Sequence, residues 1–317
     1  MEKITKGIEE ALFYCLGLQK HENLLLVTDE IKAHLCDLFF EVARDHGINV
    51  AVLKMTGLEM SGTEPGSFFG SALRAADVAV LLTQHSLSHT RAREKASKRG
   101  TRIASLPGFT RQMLAGPMMV DYEKMGKLTE KLSGFLDSAQ TAYLLGESGT
   151  ELTMSLDERA GFADLGIYRE KGDCGNLPAG EAYIAPQEGT ANGIIVLDGS
   201  ITEIGKISEP VTLKVEHGIV TTIKGGAEAK ALEKVLYKAG KGAGNIAELG
   251  LGTNEGAVLV GDTLNDEKVV GTAHIALGDN LNYGGRVDSN CHLDCVLKNA
   301  TLYLDDILII DQGKIVV

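Results

Sequence analysis

NLLLVTDEIKAHLCDLFFEVARDHGINVAVLKM, residues 23–55, decides the fold of the first half of the chain. Asn23 to Val27 is a short apolar run ending at Thr28-Asp29-Glu30, the pattern of a buried strand that hands over to a helix. Glu30 to Asp45 carries helical periodicity, and His46-Gly47 stops it. Asn49 to Met55 is the next strand. Working outward, residues 2–19 read as an amphipathic helix. On the other side, Ala72 to Ala76 closes a helix and DVAVLL (77–82) is a strand. Arg91 to Arg99 is helical and ends at Gly100, and RIASL (102–106) is again a strand. Strands joined by helices imply a parallel sheet with helices on its faces. Residues 1–140 are therefore expected to form a doubly wound, mostly parallel, Rossmann-like α/β domain. The first strand–helix turn, VTDEIKAH, lacks the glycines that a dinucleotide site needs, so none is expected there. A long helix, Asp121 to Gln140, leads out of this domain.

From about residue 141 the texture changes to strand-like alternation: TELTMSL (150–156), GIIVLD (193–198) and VTLKVEHGIVTTIKGG (211–226). His217-Gly218 reads as a hairpin turn. One helix, Glu228 to Ala239, follows, and ATLYLDDILIIDQGKIVV forms a C-terminal hairpin. Residues 141–317 are expected to be an α+β domain.

The 317 residues carry a formal net charge of -12, which repels phosphate backbones and argues against a nucleic-acid partner. The cysteines (15, 36, 174, 291 and 295) are odd in number and irregularly spaced, unlike a disulfide framework. The N-terminus does not read as a secretory signal, and no apolar run approaches a membrane span. A cytoplasmic location with no membrane partner is the expectation.

Chemistry concentrates in the second half. In Asn290-Cys291-His292-Leu293-Asp294-Cys295, strand geometry places His292 and Asp294 on one face and the cysteines with Leu293 on the other. An imidazole beside a carboxylate suits zinc, manganese, cobalt or iron, although an H-x-D pair alone is more readily two surface residues. His274 lies in the apolar run HIAL, seven residues after Glu267. Two histidines and one carboxylate can form a facial triad with open positions. Glu248 sits among small and apolar residues in NIAELGLGTN, where an unpartnered carboxylate is costly and a cation would relieve it. Glu181 opens a short strand after a Pro/Gly turn. In the first half, the end of the DVAVLL strand carries His85 and His89 among hydroxyls and arginines. That is where ligands bind in open parallel sheets, and His85 and His89 are candidates for contacting a polar substrate. Ordinary helix capping by Ser88 or Thr90 explains the stretch equally well.

NLPAGEAYIAP, NIAELGLGTN, NDEKVVGTAHIALG and SNCHLDC, in this order, resemble the metal-site motifs of the thermophilic aminopeptidase (aminopeptidase T) family over roughly residues 174–295. The resemblance implies a leucyl aminopeptidase-like metalloenzyme. Glu181, Glu248, Glu267, His274, His292 and Asp294 would then hold two divalent ions (zinc, cobalt or manganese). Tyr283 would steady the oxyanion and Glu181 would assist proton transfer. A small peptide substrate and a homodimer follow from the same resemblance. In this chain both Glu267 and Tyr283 stand farther from His274 than their counterparts do. The 2,5-dihydroxypyridine dioxygenases look similar to these peptidases and hold one ferrous ion with two histidines and an aspartate. His274, His292 and Asp294 suit that alternative equally well. The expectation is a metal-dependent aminopeptidase, with a mononuclear iron ring-cleaving dioxygenase as the alternative.

Overall fold

The fold is taken from a computed structural model that describes residues 2–317. The chain forms two compact units. The first comprises the chain to Asp121 together with Gly166–Ala179; the second comprises Tyr122–Leu165 and Gly180–Val317.

The first unit is built on a five-stranded sheet. Its strands run in the order Asn49–Met55, Asn23–Asp29, Val78–Leu82, Arg102–Ser105, Cys174–Asn176, and every pairing is parallel. The stretch 23–55 supplies its centre, as the pattern predicts. Leu24 to Asp29 are buried because neighbours pair with the strand on both sides. Asp29 then turns the chain: its Oδ1 accepts from the backbone N–H groups of Ile31 and Lys32 at 3.0 and 2.8 Å, ahead of the helix Ala33–Asp45. Arg91–Arg99 is helical, capped by Thr90 and closed by the left-handed Gly100. The fifth strand differs from the sequence reading, which found only four. Cys174–Asn176 is three residues long and flanked by charged and Gly-rich sequence, too short for periodicity to register. The N-terminal helix also differs, since Glu2–Glu9 passes into a π-helical turn over Glu10–Cys15.

The second unit holds an eight-stranded and a seven-stranded antiparallel sheet with two principal helices, Tyr122–Ser138 and Ala227–Ala239. His217 and Gly218, both at positive φ, form the expected hairpin turn between Val211–Glu216 and Ile219–Lys224.

The seven-stranded sheet positions the chemistry. Its order is Gly205–Lys206, Ser200–Ile201, His292–Leu297, Ala273–Gly278, Ile246–Gly252, Glu181–Ile184, Phe162–Asp164. One face carries Leu249, Leu251, Ile275, Leu277, Leu293, Cys295 and Leu297 into the apolar core. Alternation sends their neighbours to the opposite face. No helix among the described residues is long and apolar enough to cross a membrane.

Candidate metal centre

Register alone assembles the site. Across adjacent strands Asp164 pairs with Glu181, Glu181 with Gly252, Gly250 with His274, His274 with Val296, and Ala276 with both Glu248 and Asp294. Residues opposite one another share a face. One face therefore carries Asp164, Glu181, Glu248, His274, Asp294 and His292, floored by small residues. Two glycines are required rather than incidental. A Cβ on Gly250 would lie 2.1 Å from the His274 ring atoms Cε1 and Nε2, so only glycine lets the imidazole lie across that strand. A Cβ on Gly252 would lie 2.1 Å from the Val269 carbonyl oxygen, so glycine there lets the 267–269 backbone run over the sheet.

The donor atoms converge. His274 Nε2 lies 3.4 Å from Glu181 Oε2 and 3.5 Å from Glu248 Oε1. His292 Nε2 lies 3.2 Å from Glu248 Oε2 and 3.4 Å from Asp294 Oδ1. Glu181, Glu248 and His274 form one buried set able to hold a metal ion; Glu248, His292 and Asp294 form another, with Glu248 common to both. Five carboxylates (Asp164, Glu181, Glu248, Glu267 and Asp294) crowd here, and burial pushes those of Glu181 and Glu267 upward. Glu181 Oε2 is buried without a hydrogen-bond partner, a costly condition that a cation removes.

The histidines are oriented for a ligand. His292 Nδ1 is 2.7 Å from the Asp279 carbonyl oxygen and donates to it, which leaves the Nε2 lone pair aimed into the cluster. Tyr283 stacks on the His292 ring at 4.7 Å between centroids and meets Tyr183 edge-on at 5.6 Å, and Tyr183 stacks on Phe162 at 5.5 Å. Burial raises both phenols, so they remain protonated donors.

Of the residues singled out in sequence, Glu181, Glu248, His274, His292 and Asp294 come together here. Glu267 lies alongside but pairs with Lys268 and belongs to neither donor set. Glu248, among small and apolar residues in sequence, is 3% exposed within a strand. His85 and His89 belong to the first unit, beyond the end of Val78–Leu82; His85 is half-buried and His89 exposed. Nearby, Ser88 Oγ lies 2.8 Å from Ser105 Oγ and 3.0 Å from Asn176 Oδ1, and Thr90 accepts from Arg93 N, so capping is present there. Sequence reasoning missed Lys268, Asp164, Tyr183 and the Asp279 carbonyl. Lys268 directly follows Glu267, but lysine is a surface residue by default and nothing in the pattern marks it as buried.

Residues 15–317 match the family described as 2,5-dihydroxypyridine 5,6-dioxygenase (NicX), and the chain belongs to that family. It is 29% identical over 258 residues to the 2,5-dihydroxypyridine 5,6-dioxygenase of Pseudomonas putida, covering 77% of this chain and 72% of that one. It is 26% identical over 158 residues to aminopeptidase AmpS of Bacillus subtilis, covering 48% of this chain and 38% of that protein. In fold it is similar to the 2,5-dihydroxypyridine dioxygenase structure from P. putida KT2440, with a TM-score of 0.82, 21% identity, and coverage of 99% and 96% of the two chains. Similarity to AmpT of Thermus thermophilus is lower, with a TM-score of 0.73, 17% identity, and coverage of 100% and 99%. These findings overturn the aminopeptidase assignment and with it the hydrolase chemistry. The aminopeptidases are the more distant relatives. The four motifs misled because they specify donors on a sheet face, not the reaction carried out on it.

Proposed function

We propose that this chain is a ring-cleaving dioxygenase acting on a 2,5-dihydroxylated pyridine, with one ferrous ion held by His274, His292 and Asp294. Family membership over residues 15–317 carries the reading. The site supports it independently, because two imidazoles and a carboxylate on one sheet face are the donor set of non-haem iron oxygenases. When bound, such an ion supplies a redox centre with open positions for dioxygen and a substrate oxygen.

The chain's own groups have assignable tasks. Asp279 fixes the tautomer and direction of His292. Tyr183, Tyr283 and Phe162 form an aromatic wall suited to a flat heterocycle, with phenol O–H groups available to its ring substituents. Glu181 Oε2, which has no hydrogen-bond partner, is the acceptor for a proton leaving a substrate hydroxyl. One dioxygen is consumed per ring; its two atoms go to the two carbons of the cleaved bond, and no external reductant enters.

The test is anaerobic loading with ferrous ion, removal of free metal, and addition of 2,5-dihydroxypyridine with oxygen. Equimolar oxygen uptake and loss of ring absorbance are expected. Absence of uptake across a panel of dihydroxypyridines, with the iron shown to be bound, would reject the reading.

A further inference from the structure

We infer that the strand Asn49–Met55 is a docking edge for a second copy of the chain, joined antiparallel to the same strand of that copy about a two-fold axis at Val52. This edge belongs to the first unit and the metal donors to the second, so contact and reaction stand or fall separately.

An open strand edge turns alternate N–H and C=O groups outward, where another strand can take them up. The other sheet edges of the molecule are protected. Gly205–Lys206 and Lys314–Ile315 are two residues long, and Cys174–Asn176 and Phe162–Asp164 three, too short to template a partner. Ile219–Lys224 is longer, but its pairing is bulged, and the Val220 N–H is taken by the Gly244 carbonyl at 2.8 Å. Asn49–Met55 has none of these protections. It lies at the end of its sheet and runs seven residues in unbroken parallel register with Asn23–Asp29. Among the described residues nothing bonds the outward backbone groups of residues 50–55. The strand is mostly apolar, Asn-Val-Ala-Val-Leu-Lys-Met, yet Ala51 is exposed and Val52 is 44% exposed.

Self-complementarity selects the occupant. A two-fold contact brings one surface onto itself, and a strand related to itself in that way runs antiparallel. With the axis at Val52 all seven residues pair: Val52 with its own counterpart, Ala51 with Leu53, Val50 with Lys54, Asn49 with Met55. Lys54 is the strand's one charge; it stands next to last and faces a valine, not a second lysine. The strand carries no acid, although the chain's net charge is -12, so two copies repel each other little along this edge. Seven residues a side fall well short of the roughly 20–30 of a standard interface. The association is therefore weak and reversible, and rises with concentration.

Sedimentation velocity of the full chain, from low micromolar to near-millimolar concentration, is the test. The 33.7 kDa monomer should give way to dimer as concentration rises. Val50 probes the register, because it meets Lys54 twice in the dimer. Val50→Glu should tighten association about fivefold, the effect of two opposite-charge cross-strand pairs, and Val50→Lys should loosen it by a similar factor. Both variants place a charge at the same half-buried position, so a folding defect cannot produce shifts of opposite sign. Val52→Cys, made with Cys174→Ser to remove the exposed native thiol, sets two thiols across the axis. Mild oxidation should yield a covalent dimer, and Cys174→Ser alone should yield none. Should both Val50 variants fail to fold, coupling at the exposed Val52 decides the matter. A chain that stays monomeric throughout, shifts of the same sign at Val50, or no covalent dimer from Val52→Cys would each overturn the proposal.

Discussion

Gly250 has no side chain, yet it decides where a metal-directed histidine lies. A methyl group there would meet the His274 imidazole at 2.1 Å, with a strand on either side of that ring to prevent retreat. Gly250→Ala is expected to cost about 1–3 kcal/mol as an overpacked site and to weaken metal binding. Urea unfolding and metal titration check both, and an unchanged metal affinity would contradict the packing argument. A different residue governs acid stability in the first unit. Arg102 grips Glu22 through both terminal nitrogens, at 2.9 and 2.8 Å, with both side chains mostly buried. The Arg102 hydrogen bond holds the Glu22 carboxyl below its usual range. A depressed folded pKa stabilises above the unfolded value, about 4.3 for glutamate, and that contribution disappears as pH falls through the folded value. Glu22→Gln should therefore cost about 2–3 kcal/mol near neutrality. The difference from the parent should shrink progressively below about pH 4.3, as read by urea unfolding at stepped pH. At this scale His292 and Asp294 were legible, because strand alternation fixes their common face. Lys268 was not, because its burial depends on Gly252 and Asp164, which only folding brings beside it.

The segment Asp279–Val287 is the element on which the centre leans. It presents the Asp279 carbonyl to His292 and lays Tyr283 on the same ring. Its shape is set from elsewhere in the second unit. Glu188 Oε1 accepts from Asn280 Nδ2 at 3.0 Å and from Arg286 N at 2.7 Å, while its other oxygen pairs with Arg159, which also donates to the Gly284 carbonyl. Asn280, fully buried, closes the loop by accepting from Val287 N at 2.8 Å. Loss of this clamp should free the Asp279 carbonyl to wander. Glu188→Ala is expected to weaken metal affinity about tenfold, the lower end for loss of an orienting partner. Glu188→Gln, which keeps an acceptor for Asn280 and Arg286, should recover part of it. Equal losses in both variants would show that charge, not loop geometry, is what Glu188 provides. The strands of the centre were readable from their alternation. This loop was not, because its ties come from residues 159 and 188, and sequence spacing holds no trace of them.

At the scale of the molecule, sequence gave the architecture more readily than the reaction. A parallel α/β sheet and antiparallel sheets follow from where period-2 alternation replaces the strand–helix rhythm near residue 141. The fifth parallel strand escaped because Cys174–Asn176 joins that sheet from beyond residue 140, across a long antiparallel excursion. The reaction escaped for a different reason: HIALG and HLDC specify a face and its donors, and a face of that kind supports more than one chemistry. Each unit has its own apolar core, Leu25 to Ile103 in one and Leu132 to Ile310 in the other. The metal donors all belong to the second. Binding to the folded state alone stabilises only what must stay folded to bind. Removal of metal by a chelator should therefore speed amide exchange in 181–184, 246–252, 273–278 and 292–297, where adjacent strands hold buried like charges. The strands 23–29, 49–55 and 78–82 should exchange as before. Hydrogen–deuterium exchange read by mass spectrometry resolves these peptides. Uniform acceleration in both units would mean that the centre stabilises the whole chain as one cooperative body, and that the separation of cores carries no energetic weight.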